Sequence, residues 1–194
     1  MHIASKDKTG KMRKNIVEKI KTEGVEIEIE KQQLTYLVIA KLNDKTIERK
    51  FKAKKIIIEK IGDEIVIKAN NATKKEKKMI KTIKSHIKNM IRGLKQPWVY
   101  KLEICFSHFP ISVSIVNKQM VIKNFFGEKN PRYVKLLDGV DVEIKGNIIE
   151  VKSHDKELAG RQAALIEQAT RITDKDRRIF QDGIWIIEKA GKPI

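Results

Sequence analysis

Val25, Ile27 and Ile29 alternate with Glu26, Glu28 and Glu30, the two-residue repeat of a strand with one buried face. Further strand signals lie at residues 35–40, 46–51, 56–59 and 65–69, parted by the turn-favouring pairs Asn43-Asp44 and Gly62-Asp63. The spacing predicts a mainly antiparallel sheet. At Thr73 the period changes. Thr73-Lys74-Lys75-Glu76 is a capping box, whose hydroxyl and carboxylate satisfy free amide donors at a helix start. At about 100° per residue, Met79, Ile80, Ile83, Ile87, Met90, Ile91 and Leu94 fall within an arc of roughly 120°, which predicts one buried stripe. Lys77, Lys81, Lys84, Lys88, Arg92 and Lys95 fall on the opposite face, and Gly93 with Pro97 is expected to stop the helix.

The second half replays this order. Ile111-Ser112-Val113-Ser114-Ile115 and then Gln119-Met120 echo Val25-Glu26-Ile27-Glu28-Ile29 and then Gln33-Leu34, at an offset of 86 residues. Ile148-Ile149-Glu150-Val151 echoes residues 65–68 at an offset of 83, and a second helix starting between Asp155 and Gly160 turns Ala163, Ile166 and Ala169 to the sheet. Such echoes also arise in unrelated α+β chains, but drifting offsets with a fixed order are what duplication of one unit produces. We expect an α+β fold of two tandem similar domains, residues 22–97 and 98–194, each a mainly antiparallel sheet covered by one helix. The other sheet face is left for a partner.

Charge narrows the kind of partner. Of 194 residues 42 are Lys or Arg and 25 are Asp or Glu, a formal charge of +17, and 26 of the basic but only 12 of the acidic residues precede Trp98. An excess this large repels itself and favours a polyanion. The chain is 41% hydrophobic and regularly patterned, so these charges coat a folded unit. A cationic helix face alone is equally what a solvated helix shows; the whole-chain excess directs the reading to RNA or DNA. No apolar run approaches the roughly 20 residues of a membrane span and no apolar signal block opens the chain, so an intracellular protein without a membrane partner is expected.

Catalytic chemistry is not expected. His2, His86, His108 and His154 have no metal-ligand spacing, and the lone Cys105 excludes an internal disulfide and a thiolate zinc cage. Cys105 alternates with Ile104 and Phe106 as a small core residue. No Gly-rich phosphate loop occurs, and Asp174 and Asp176 sit among cations where they trim local charge. Neither metal nor cofactor is expected. The competing readings are an RNA-processing or RNA-modifying enzyme on a basic scaffold, and a ribosome assembly factor.

Asn89-Met90-Ile91-Arg92-Gly93, His108-Phe109-Pro110-Ile111 and Asn124-Phe125-Phe126-Gly127-Glu128-Lys129 are specific enough to carry a resemblance. A longer signature follows: Gln168, Ile172, Lys175, Arg178, Phe180, Asp182-Gly183-Ile184-Trp185-Ile186 and Lys189 at their present spacing. From about Lys84 to Lys189 the chain resembles the large-subunit ribosomal protein L-six family, L-nine in eukaryotes, in its archaeal and eukaryotic form. It departs at Trp185, where tyrosine is usual, and at Leu42-Asn43-Asp44-Lys45, where a Gly-Pro-containing turn is common. The resemblance implies a structural role on large-subunit rRNA near the sarcin-ricin loop and the GTPase centre, supporting cytoplasmic translation. It also implies neighbouring ribosomal proteins, translational GTPases nearby and one copy per ribosome with no homo-oligomer, with assembly in the nucleolus for a eukaryotic source. Residues 1–21 have no counterpart and are expected to form a basic arm that orders only on RNA.

Folded rRNA is held through its phosphates and its shape, with splayed bases stacking on aromatic rings or guanidinium planes. The candidate contacts are therefore loops where cations adjoin Gly, Pro or Asn: Lys129, Arg132 and Tyr133 around Gly127-Glu128-Lys129-Asn130-Pro131-Arg132, and Lys175, Arg177 and Arg178 before an expected strand at residues 180–186. Arg161 and Arg171 on the second helix are as readily solvated as bound. Lys189 joins the set from the family signature, and Asp182-Gly183 is expected to make a turn.

Overall fold

The computed structural model describes residues 5–6 and 12–194, in two units that divide between Lys95 and Gln96. The first unit runs β1 (Ser5–Lys6), β2 (Met12–Lys21), β3 (Glu26–Gln32), β4 (Thr35–Leu42), β5 (Lys45–Lys52), β6 (Ile57–Ile61), β7 (Glu64–Ala72) and α1 (Lys74–Lys95). Its strands pair antiparallel in two sheets, ordered β1-β2-β7-β6 and β3-β4-β5. Helix α1 packs against strands of both sheets, so one amphipathic helix closes a core made by two sheets where a single sheet was expected.

The capping box forms. The Thr73 amide donates to Glu76 Oε2 at 2.8 Å, the Thr73 hydroxyl bonds the same carboxylate, and the Lys75 amide donates to Thr73 Oγ1 at 3.2 Å. These bonds hold the Glu76 carboxyl below its ordinary range. Thr73→Ala is expected to cost about 1 kcal/mol, read as a shift of the denaturant midpoint of the first unit. Ile80, Ile83 and Ile87 are fully buried, each contributing about 1.5–3 kcal/mol by leaving water. Met79, expected in that stripe, is exposed, because it lies at the very edge of the arc. Gly93 does not stop the helix; it is buried within it, and the helix ends two residues before Pro97.

Residues 1–4 and 7–11 of the expected arm lie outside the described residues. Met12–Lys21 is a paired strand and no arm. Its inward series is Ile16, Glu18, Ile20 and Thr22, so a carboxylate interrupts the apolar alternation that would have announced it. Lys84 resolves the conflict by turning off the cationic face of α1 to bond Glu18, which holds that carboxyl low despite its partial burial.

The second unit runs β8 (Trp98–Cys105), β9 (Ser112–Val116), β10 (Gln119–Lys123), a single 3-10 turn (Phe125–Gly127), β11 (Arg132–Lys135), β12 (Asp141–Lys145), β13 (Ile148–Ser153), α2 (Lys156–Ala169), β14 (Gly183–Lys189) and β15 (Lys192–Pro193). Its sheets are ordered β11-β10-β9 and β12-β13-β8-β14-β15. The orders β2-β7-β6 and β8-β13-β12 match, each unit adds a three-stranded sheet, and α1 and α2 follow the equivalent strands β7 and β13. Asp155 caps α2, accepting from the Glu157 amide at 2.8 Å. Gln162 on α2 is fully buried yet satisfied: its Oε1 accepts from the Leu137 amide at 2.8 Å and its Nε2 donates to the Lys135 carbonyl at 3.4 Å.

Candidate nucleic-acid interface

Three loops of the second unit come together at one end of its sheets. Buried Asp182, just before β14, accepts from the Ser107 amide (3.2 Å) and hydroxyl (2.9 Å), so this residue ties two loops instead of making the expected turn. Asn124 donates from Nδ2 to the Pro110 carbonyl at 3.0 Å and ties the Ser107 loop to the turn after β10. In that turn Phe126 has φ 51°, a left-handed conformation that a bulky side chain adopts only under constraint. Gly127 follows at φ 74°, where an added Cβ would stand 3.3 Å from the Phe109 ring. The Phe126 ring meets Phe125 edge-on at 4.8 Å and Phe180 of the third loop at 6.1 Å.

Cations sit on these rings. Lys175 Nζ lies 4.9 Å from the Phe126 centroid and 4.7 Å from that of Phe180, and the Arg177 guanidinium lies 5.1 Å from the Trp185 ring. The Trp185 Nε1–H donates to the Gln181 carbonyl at 2.8 Å, so the indole has a polar anchor within this loop. Among the described residues neither Lys175 nor Arg177 has a carboxylate partner. Arg178 differs. It is forked onto Asp176, with Nη2 to Oδ2 at 2.7 Å and Nε to Oδ1 at 3.1 Å, an arrangement that holds the Asp176 carboxyl low.

Arg132 turns inward where an RNA contact was expected. Its guanidinium donates to Glu128 at 2.9 and 2.6 Å and to the Ala169 carbonyl at 2.8 Å, and lies 4.3 Å from the Phe125 centroid. It thereby joins the turn after β10 to the end of α2. Lys129 and Tyr133, flanking this clamp, are exposed, as is Arg171 just past α2. Arg161 is exposed about 12 Å back along α2 from its C-terminal end. Lys189 lies at the far end of β14, about 20 Å from Gly183, and does not join this cluster. Sequence reasoning overlooked Phe106, Phe109 and Ile179, all exposed here; the aromatics beside Pro110 were the available signal. Strand β14 starts at Gly183, later than expected, because residues 171–182 are committed to this loop.

The sheet face turned away from α2 is neutralised. Glu143 of β12 stands directly opposite Glu150 of β13, a repulsive pairing if left alone. Lys145 bonds Glu150 and Glu143 at 2.9 and 3.2 Å, and Lys152 bonds Glu143 and Glu150 at 2.9 and 3.1 Å. The stripe continues across the sheet with Lys101 on Glu188 at 2.9 Å. A face of paired charges offers a polyanion little, so the unpaired cations at the loop end mark the better surface. The lattice has its own consequence. Bonds from Lys145 and then Lys152 hold the Glu150 carboxyl down to about 2. A depressed carboxylate contributes stability that is present above its unfolded value near 4.3 and is lost as pH falls towards 2. The urea midpoint followed by Trp fluorescence should therefore fall between pH 6 and pH 3, and fall less in Glu150→Gln.

Burial, then the Glu103 and Asp182 carboxylates, pushes the Cys105 thiol up, which opposes thiolate formation. The geometry thus suits holding a polyanion and gives this cysteine no nucleophilic role.

The family described as Ribosomal protein L6 matches residues 109–183. Large ribosomal subunit protein uL6 of Methanococcus vannielii is 41% identical over 155 residues, covering 80% of this chain and 85% of that protein. Its counterpart in Ignicoccus hospitalis is 43% identical over 169 residues, covering 84% and 89%, and that of Nanoarchaeum equitans is 44% identical over 156 residues, covering 76% and 81%. Identity of this level across roughly four-fifths of each chain makes this one a member of the ribosomal protein uL6 family.

Proposed function

We propose that the chain is a structural constituent of the large ribosomal subunit that holds rRNA near the sarcin-ricin loop and the centre where translational GTPases act, one copy per particle, in cytoplasmic translation. The observation that carries this reading is the similarity across most of the chain to relatives named for the large subunit. The loop end of the second unit supports it: Lys129, Arg171, Lys175 and Arg177 for phosphates, with Phe106, Phe109, Phe180 and Tyr133 beside them for sugars and unstacked bases. Neighbouring ribosomal proteins complete its surroundings, and no side-chain reaction is part of its work.

Sedimentation of a cell lysate tests this. The chain should travel with large subunits in moderate salt and be stripped steeply as salt rises, because each phosphate contact releases condensed counterions. Recovery at the top of the gradient in moderate salt would overturn the reading.

A further inference from the structure

We propose that the first unit carries an RNA-backbone site of its own, where the turn between β3 and β4 meets the connection from β5 to β6. Two open hollows of about 350 and 680 Å³ adjoin there and share Gln33. Lys31, Lys54 and Lys55 line the smaller, Lys50 and Lys52 the larger, and no carboxylate lines either. Among the described residues none of these five lysines has an ion-pair partner. Lys31 lies 5.9 Å from the Tyr36 centroid, and Lys55 acts on the Glu76 carboxylate only as a longer-range attraction. Other lysines of the unit are bonded to carboxylates, Lys19 to Glu64, Lys41 to Glu28, Lys68 to Glu59 and Lys95 to Glu23, while the outward lysines of α1 such as Lys77, Lys78 and Lys81 are, among the described residues, as unpaired as the five here.

The strand register explains how the cations gather. Gln32 pairs with Thr35 and Thr35 with Lys52, so an amide, a hydroxyl and an ammonium form one row across the sheet, with Lys50 two residues along on the same face. Phe51 and Tyr36 point the other way into the core. Gln32, Gln33 and Asn70 add donors and acceptors that a ribose hydroxyl or a base edge can use. Leu34 and Ile57 stay exposed at the smaller hollow, an apolar surface for a sugar or base face. Five unpaired cations spread over two adjoining hollows fit successive phosphates of a chain, not one small anion. The outward lysines of α1, such as Lys77 and Lys81, lie along one convex helix surface and line neither of these two hollows. That the RNA is ribosomal rests on the function proposed above; the site itself rests on this geometry.

Two measurements on the full chain test it. In fluorescence anisotropy with a labelled RNA hairpin at 0.1 M salt, the combined Lys50→Gln, Lys52→Gln and Lys54→Gln variant should bind about tenfold more weakly, with a salt slope reduced by about 2 to 3. An equal change of charge on α1, Lys77→Gln with Lys78→Gln and Lys81→Gln, should weaken binding less than about threefold. Equal losses in the two variants, or no loss in the first, would overturn the proposal. In purified large subunits, a photoreactive p-benzoylphenylalanine in place of exposed Leu34 should crosslink to rRNA. Crosslinks to protein alone, or none, in a chain that still sediments with the subunit would remove this site and leave the proposed function standing. A chain absent from the subunit would remove that function, and the anisotropy comparison then decides the site.

Discussion

Arg132→Ala is expected to destabilise the second unit by about 2–3 kcal/mol, a large effect for a surface cation. The guanidinium makes a two-toothed bond to Glu128, reaches the Ala169 carbonyl at the end of α2 and stacks on Phe125. Its side chain is only 31% exposed, so truncation strips these partners where water returns incompletely. A lysine has one compact ammonium in place of a planar fork, and Arg132→Lys should recover little. Trp98 and Trp185 both belong to this unit, so tryptophan fluorescence isolates its unfolding. A fall in the melting midpoint of about 10 °C or more is expected. An unchanged midpoint with weakened RNA binding would return Arg132 to the role its loop position first suggested.

Lys175→Glu combined with Arg177→Glu should have the largest effect on RNA affinity. Both cations rest on aromatic rings and neither is answered by a carboxylate. Removing two phosphate contacts and adding two repulsive charges is expected to weaken rRNA binding about 30-fold or more at 0.1 M salt and to flatten the salt slope by about 2. Stability should hardly change, because both side chains are exposed. Arg178→Glu should do less than Arg177→Glu, since Asp176 already offsets Arg178. Reversal of Lys77 and Lys81 on α1 should also do less. Filter binding across a salt series separates these cases; equal effects at all five positions would mean that charge acts as a diffuse field with no defined loop surface.

The fold was readable in the sequence wherever a side-chain period was clean. The alternation from Val25 to Glu30, the stripe from Ile80 to Leu94 and the Thr73 capping box all became the elements they announce. Strand β2 was hidden because Glu18 occupies an inward position, and its compensation by Lys84 is a contact 66 residues away that no local pattern reports. The same limit applies to the site. Lys129, Lys175 and Arg177 stand out as loop cations, but the inward turn of Arg132 depends on Glu128, Phe125 and Ala169 arriving together. Neutralisation of the open sheet face was likewise out of reach, since the diagonal Lys145–Glu150 and Lys152–Glu143 bonds exist only in one strand register.

A density map of the native large subunit containing this chain is the decisive observation. Phosphates of rRNA should lie within hydrogen-bonding reach of Lys175 and Arg177, while the Glu143, Lys145, Glu150 and Lys152 face carries no RNA. RNA packed on that paired face, with Lys175 and Arg177 left in solvent, would contradict the assignment of the loop end as the rRNA-holding surface.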